Sequence, residues 1–130
     1  MKVTYGDLLN CVPALQMLIE MPLPSAASIR VANIAQKADI STKIFHKEKV
    51  RIAEKYAERD ENDEIVHSDD KKTIIKIAED KREACNQEIE ELLELESEED
   101  FNPLMSNTIK DVTIKPAILL SLGKLFREVE

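Results

Sequence analysis

Glycine is nearly absent from this chain: Gly6 and Gly123 are the two among 130 residues. An average chain carries about 7% glycine, so the scarcity argues against a turn-rich sandwich or a small barrel. It also leaves almost no material for the backbone cradles that hold phosphate in glycine-rich loops. Aromatic residues are 4% of the chain and tryptophan is missing, so any core must be aliphatic. Cys11 and Cys85 are too few and too far apart for a disulfide framework or a zinc ligand set. Reduced thiols in a cytoplasmic compartment are the simplest expectation. No apolar run approaches the roughly 20 residues that a membrane span requires. The N-terminus shows no basic region followed by a long apolar stretch, so no secretory signal is expected.

What the chain does have is charge and aliphatic residues. Hydrophobic residues make up 43%, charged residues 34%, and the net charge is −8. A chain of this length buries about two thirds of its unfolded surface, so a single domain over residues 1–130 with a real core is expected. The acidic balance works against sequence-independent binding to phosphate backbones. Neither a nucleic-acid nor a membrane partner is expected.

Along the chain, Leu8, Leu9, Val12, Leu15, Leu18 and Ile19 recur at helical spacing. Pro13 favours a loose turn from Asp7 and a regular helix from about Asn10 to Glu20, which puts the proline in the first turn. Met21-Pro22-Leu23-Pro24 ends that helix. Ser25 reads as the cap of a second helix reaching about Arg59. Its apolar stripe is Ala27, Val31, Ile34, Ala38, Ser41, Phe45, Ile52 and Tyr56, interrupted by Glu48. The acidic segment 60–68 reads as a hairpin tip. Ser68 or Asp69 should cap a third helix reaching about Glu96, with Ile75, Ala78, Cys85, Ile89 and Leu92 on its stripe and Arg82 as the polar member.

Two such helices bury their stripes by lying antiparallel. A tip centred near Ile65 pairs Phe45 with Cys85, Ile52 with Ala78, and Ala38 with Leu92. Residues 25–59 carry a net charge of +4 and residues 71–100 a net of −6, which favours the same pairing. Beyond Glu99, segments near 101–105 and 112–114, joined by residues 2–4, are candidates for a small two- or three-stranded sheet. Pro116 opens a terminal helix with Ile118, Leu119, Leu122, Leu125, Phe126 and Val129 on its apolar face. Gly123 inside that helix suggests close packing. The expected fold is therefore mainly α: a long antiparallel helical hairpin with arms 25–59 and 69–96, shorter terminal helices, and a small sheet at the open end.

Little chemistry is visible. His46 and His67 lie far apart and read as surface side chains. Asp60, Asn62 and Glu64 have calcium-like alternate spacing, but Ile65 stands where a calcium loop needs glycine and Lys71 where it needs a bidentate glutamate. Cys11 near a helix start suggests a lowered thiol pKa, whereas Cys85 on the apolar stripe reads as a small hydrophobe. Lys37, Lys43, Lys47, Lys49 and Arg51 lack interleaved aromatics and read as a solvated helix face rather than a nucleic-acid stripe. No catalytic residue, cofactor or metal site is expected.

The letters Asp7-Leu8-Leu9-Asn10, Pro13-Ala14-Leu15, Lys55-Tyr56, Asp60-Glu61-Asn62, Asp100-Phe101-Asn102-Pro103, Lys115-Pro116-Ala117-Ile118-Leu119 and Leu122 carry a resemblance. In their order and spacing the chain resembles small proteins of tailed-phage and prophage genomes, though its tip lacks the Asn-Gly turn expected in such relatives. The resemblance implies a viral origin and a non-enzymatic role. The leading expectation is a protein-binding module that acts on a host factor, for example by inhibiting a defence protein. The alternative is a virion component or assembly factor that self-associates or docks on a structural protein. Glu88 to Asp100 holds eight acids and no base. A solvated acidic face is the first reading of this run; as a docking surface for a basic protein partner, its candidate contact is Glu94, Glu98, Glu99 and Asp100, with Ile65 and Val66 at the tip as the apolar alternative.

Overall fold

The structure is a computed structural model that describes residues 1–129. It is mainly helical, with four α-helices and one two-stranded parallel sheet. The helices are α1 (Tyr5–Ile19), α2 (Ser25–Lys55), α3 (Arg82–Glu94) and α4 (Pro116–Leu122). The strands are β1 (Leu104–Met105) and β2 (Phe126–Arg127). The chain divides into two compact units: residues 1–43 with 95–130, and residues 44–94. Their boundary falls inside α2, after Lys43.

In the first unit α1 begins earlier than Pro13 suggests. Thr4 caps it: its Oγ1 accepts the Asp7 amide at 3.1 Å, and Asp7 Oδ2 accepts the Thr4 amide at 3.2 Å. This reciprocal box satisfies two orphan donors and fixes the helix start at Tyr5. Pro13 then lies inside the helix, where the Leu9 carbonyl loses its usual donor. The cap, together with burial of Leu8, Cys11, Ala14, Leu15 and Leu18, outweighs that loss. Pro22 and Pro24 fall between α1 and α2, as expected. Ser25 is the first helical residue rather than the cap, since the Pro24 carbonyl accepts the Ser28 amide at 2.9 Å.

The α2 stripe buries as its spacing requires. Ala27, Val31, Ile34, Ala38 and Ser41 are buried in the first unit, and Phe45 and Ile52 in the second. In the first unit the α2 residues join Leu8, Leu15 and Leu18 of α1, with Phe101, Leu104, Leu122 and Leu125, in one aliphatic core. Its one buried polar contact on α2 is Ser41 Oγ with Ser97 Oγ at 2.6 Å. The mutual bond satisfies two hydroxyls that would otherwise be costly to bury.

The sheet differs from expectation. Leu104 pairs with Phe126 and Met105 with Arg127, in parallel. A parallel pair needs a crossover, and the segment carrying α4 supplies it. Residues 112–114 form no strand; the Val112 amide turns back to the Ile109 carbonyl at 3.0 Å. Residues 1–5 run instead beside 95–101, through Tyr5 to Leu95, Ser97 to Val3 and Phe101 to Met1 backbone bonds of 2.9–3.0 Å. Pro116 opens α4 as expected. Gly123, however, ends that helix at φ +54°, and a side chain there would meet nothing within 4 Å. It serves backbone conformation, not close packing, and Phe126 is thereby freed for β2.

The second unit carries the largest correction. α2 stops at Lys55 rather than Arg59, and α3 starts at Arg82 after a 3₁₀ turn over Glu79–Lys81, rather than at residue 69. Between them three extended segments pair with one another: Ala57 bridges Ile77, Arg59 bridges Ile65, and His67 bridges Ile75, all antiparallel. β-Branched Thr73, Ile74, Ile75 and Ile77 favour this extended state over helix. Half-burial of Ile75 and Ile77, with Ile74 and Lys76 exposed, is the period of a strand. The expected helical register fails with it. Lys55 and Tyr56, which should face residues 74–75, instead meet Glu88 at 2.7 and 2.6 Å. Phe45, Ile52, Ala57, Cys85 and Leu92 are the buried side chains of this unit.

Candidate protein-binding face

On α3, Cys85 and Leu92 are buried and lie seven residues apart on one side of the helix. Glu83, Gln87, Glu90 and Glu94 follow one another at steps of four, three and four, so they line the opposite side. All four are exposed, with exposed Glu91 beside them. Glu88 is the acid on this helix that finds cations. It takes the Lys55 ammonium at 2.7 Å and the Tyr56 hydroxyl at 2.6 Å. Hydrogen bonds from Lys55 and Tyr56 hold its carboxyl below the ordinary value. Among the described residues no cation pairs with Glu83, Glu90, Glu91 or Glu94.

The expected contact residues do not form one surface within a single unit. Glu94 is the exposed last residue of α3, in the second unit, whereas Glu98, Glu99 and Asp100 belong to the first. There the neighbouring cations bind the backbone instead of the carboxylates. Lys2 Nζ donates to the Glu98 carbonyl and Lys37 Nζ to the Asp100 carbonyl, both at 2.5 Å. Arg30 Nη1 donates to the Pro103 carbonyl at 3.1 Å. Asp100 Oδ1 takes the Met1 ammonium at 2.7 Å, and the half-buried Glu99 sends its amide to Ser97 Oγ at 3.1 Å. Glu98 keeps an exposed carboxylate.

Ile65 and Val66 are half-buried rather than presented at a tip. The Val66 amide donates to the Glu58 carbonyl, and its own carbonyl accepts the Lys76 amide, each at 2.9 Å. Its backbone is thus fully used. Asp60 is likewise occupied: its Oδ1 accepts the Asn62 and Glu64 amides at 2.9 and 3.0 Å, which accounts for the calcium-like letters as a turn. His46 packs edge-on to Phe45, with ring centroids 5.5 Å apart.

Of the basic series on α2, Lys43 pairs with Asp39 at 2.9 Å and Arg51 with Glu48, in addition to the Lys37 bond. Both cysteines are free and buried. Cys11 does not have the lowered pKa suggested by its place near a helix start. Burial pushes its thiol up to about 11, and nearby Asp7 adds to the rise.

The acidic line on α3 has one signal in the sequence, the four-three-four spacing of Glu83, Gln87, Glu90 and Glu94, which a count of acids along the chain does not show. No helix among the described residues is long and apolar enough to cross a membrane. No protein-family model, curated protein or solved structure matches this chain.

Proposed function

We propose that this chain is a non-enzymatic protein-binding module whose contact is the outward face of α3, offered to a basic protein partner. The observation that carries the reading is the line Glu83, Gln87, Glu90 and Glu94, exposed and without an intramolecular cation among the described residues. Like charges at i, i+4 and i, i+7 spacing cost helix stability, and a cationic partner surface relieves that repulsion. Such a face steers encounter and selects partners by sign, with strong dependence on salt. The phage resemblance supplies the setting: host cytoplasm, with a host factor as target. The two buried, free cysteines accord with a reducing compartment.

The test compares proteins recovered from a bacterial lysate by the wild type and by two charge-reversed variants. E90K/E94K alters the α3 face, and E98K/E99K alters the first unit. Recovery should fall for E90K/E94K and fall again between about 50 and 300 mM salt as screening shortens, while E98K/E99K retains its partners. Equal recovery by all three overturns the reading. Native mass separates a monomeric module from the self-associating assembly factor that is the alternative.

A further inference from the structure

In an acidic protein, the first unit holds a concave polar site built from cations. Arg30, Asn33 and Lys37 lie at steps of three and four on α2, and together with Asn102 they enclose a cavity of about 310 Å³. Its floor is apolar, made of Ile34 and Phe101, which are 2% and 1% exposed. Arg30 and Lys37 are each half-buried, so solvent screens them less than a surface pair.

The far wall is held by the site's own cations. Arg30 Nη1 grips the Pro103 carbonyl and Lys37 Nζ the Asp100 carbonyl, on either side of Asn102. These bonds hold the backbone on both sides of exposed Asn102, which lines the cavity together with exposed Asn33. Each cation spends one donor on this task. Arg30 has five N–H donors and Lys37 three, so most remain for a ligand. No acid lines the cavity among the described residues, and Asp100 of the wall segment is paired with the Met1 ammonium at 2.7 Å.

From this geometry we propose that the cavity between α2 and the segment 100–103 binds the phosphate group of a small phosphorylated molecule. The Arg30 fork takes two phosphate oxygens, Lys37 supplies the second charge, and the amides of Asn33 and Asn102 donate alongside them. The volume exceeds that of a bare phosphate, and the apolar floor suits the carbon skeleton that bears it.

The experiment titrates the full-length, ¹⁵N-labelled protein with inorganic phosphate, against sodium chloride at matched ionic strength. Side-chain amide signals of Asn33 and Asn102 should move saturably with phosphate and not with chloride. Arg30→Lys keeps the charge and loses the fork, and it should weaken binding about tenfold. Because Arg30 and Lys37 also pin the wall, Asn33→Leu is the second variant; it leaves both carbonyl bonds in place and should weaken binding as well. Shifts that fail to saturate, or that are the same in Arg30→Lys and Asn33→Leu as in the wild type, overturn the proposal.

Discussion

Glu58 and Lys76 are joined twice. The Glu58 amide donates to the Lys76 carbonyl at 2.8 Å, and the Lys76 ammonium lies 3.1 Å from Glu58 Oε2. The first bond belongs to a ring. Glu58 donates to Lys76, Lys76 donates to Val66, and Val66 donates back to Glu58. Three hairpin stems meet at these residues, marked by the bridges 57–77, 59–65 and 67–75. The ring gives each stem a partner where it would otherwise have a free edge.

The two bonds between Glu58 and Lys76 should therefore differ in weight. Both side chains are about half exposed, so Glu58→Gln should change stability by less than about 1 kcal/mol. Val66→Pro removes one amide of the ring and leaves the Glu58 carbonyl short of a donor, which should cost about 1–3 kcal/mol. Denaturant unfolding measures both. Equal losses would mean that the ring has no special role.

How much of this was legible depended on whether local preference and pattern agreed. On α2 they did: Ala27, Val31, Ile34, Ala38, Ser41, Phe45 and Ile52 repeat at helical steps, and all are buried. Around residues 69–81 they conflicted. Ile75 and Ala78 continue the spacing of Cys85 and Leu92, so the stripe extends backward on paper. The β-branching of Thr73, Ile74, Ile75 and Ile77 pulled the chain into extended pairs instead. Non-local pairing was not readable at all, as with Leu104 and Phe126. Of the candidate face, the excess of acid was readable, but its division between units depended on where α3 ends. That Lys2, Arg30 and Lys37 would choose carbonyls over carboxylates has no sequence signature.

The hairpin turns should be improvable. Asp63 and Lys72 have φ of 62° and 57°, and both amides bond the carbonyl of an aspartate three residues earlier. A non-glycine residue costs about 1–2 kcal/mol there, and glycine's extra unfolded-state entropy offsets about 0.5–1 kcal/mol of that, so Lys72→Gly should raise stability by roughly 1 kcal/mol or less in denaturant unfolding.

Gly123→Ala probes the reverse case. At φ +54° and ψ −123° the backbone favours glycine, while a methyl group would touch nothing within 4 Å. The expected loss of about 1–3 kcal/mol is purely conformational. A neutral substitution at Gly123 would contradict it.

Both thiols should be slow to react in the folded protein. Cys11 is 0% and Cys85 2% exposed, and burial raises both pKa values. At pH 8 the thiolate fraction of Cys11 is small. A disulfide exchange reagent should label neither until denaturant is added. Rapid native labelling of one thiol would show that its site opens.

The last prediction concerns Glu88, the α3 acid held by Lys55 and Tyr56. Their hydrogen bonds depress its folded carboxyl below the ordinary value of 4.5. A depressed folded pKa means that the unfolded chain takes up the proton more readily. The stabilisation is therefore present above the unfolded value and is lost as pH falls through the folded one. Glu88→Gln keeps the shape and removes the titration. The wild type should melt above this variant at pH 7, and the gap should close as pH falls from about 5 toward the folded carboxyl value. Glu90→Gln is the comparison: it relieves like-charge repulsion with Glu94, so it should melt at or above the wild type at pH 7, opposite in sign to Glu88→Gln. If the gap for Glu88→Gln stays constant with pH, its origin is packing around Tyr56 rather than charge.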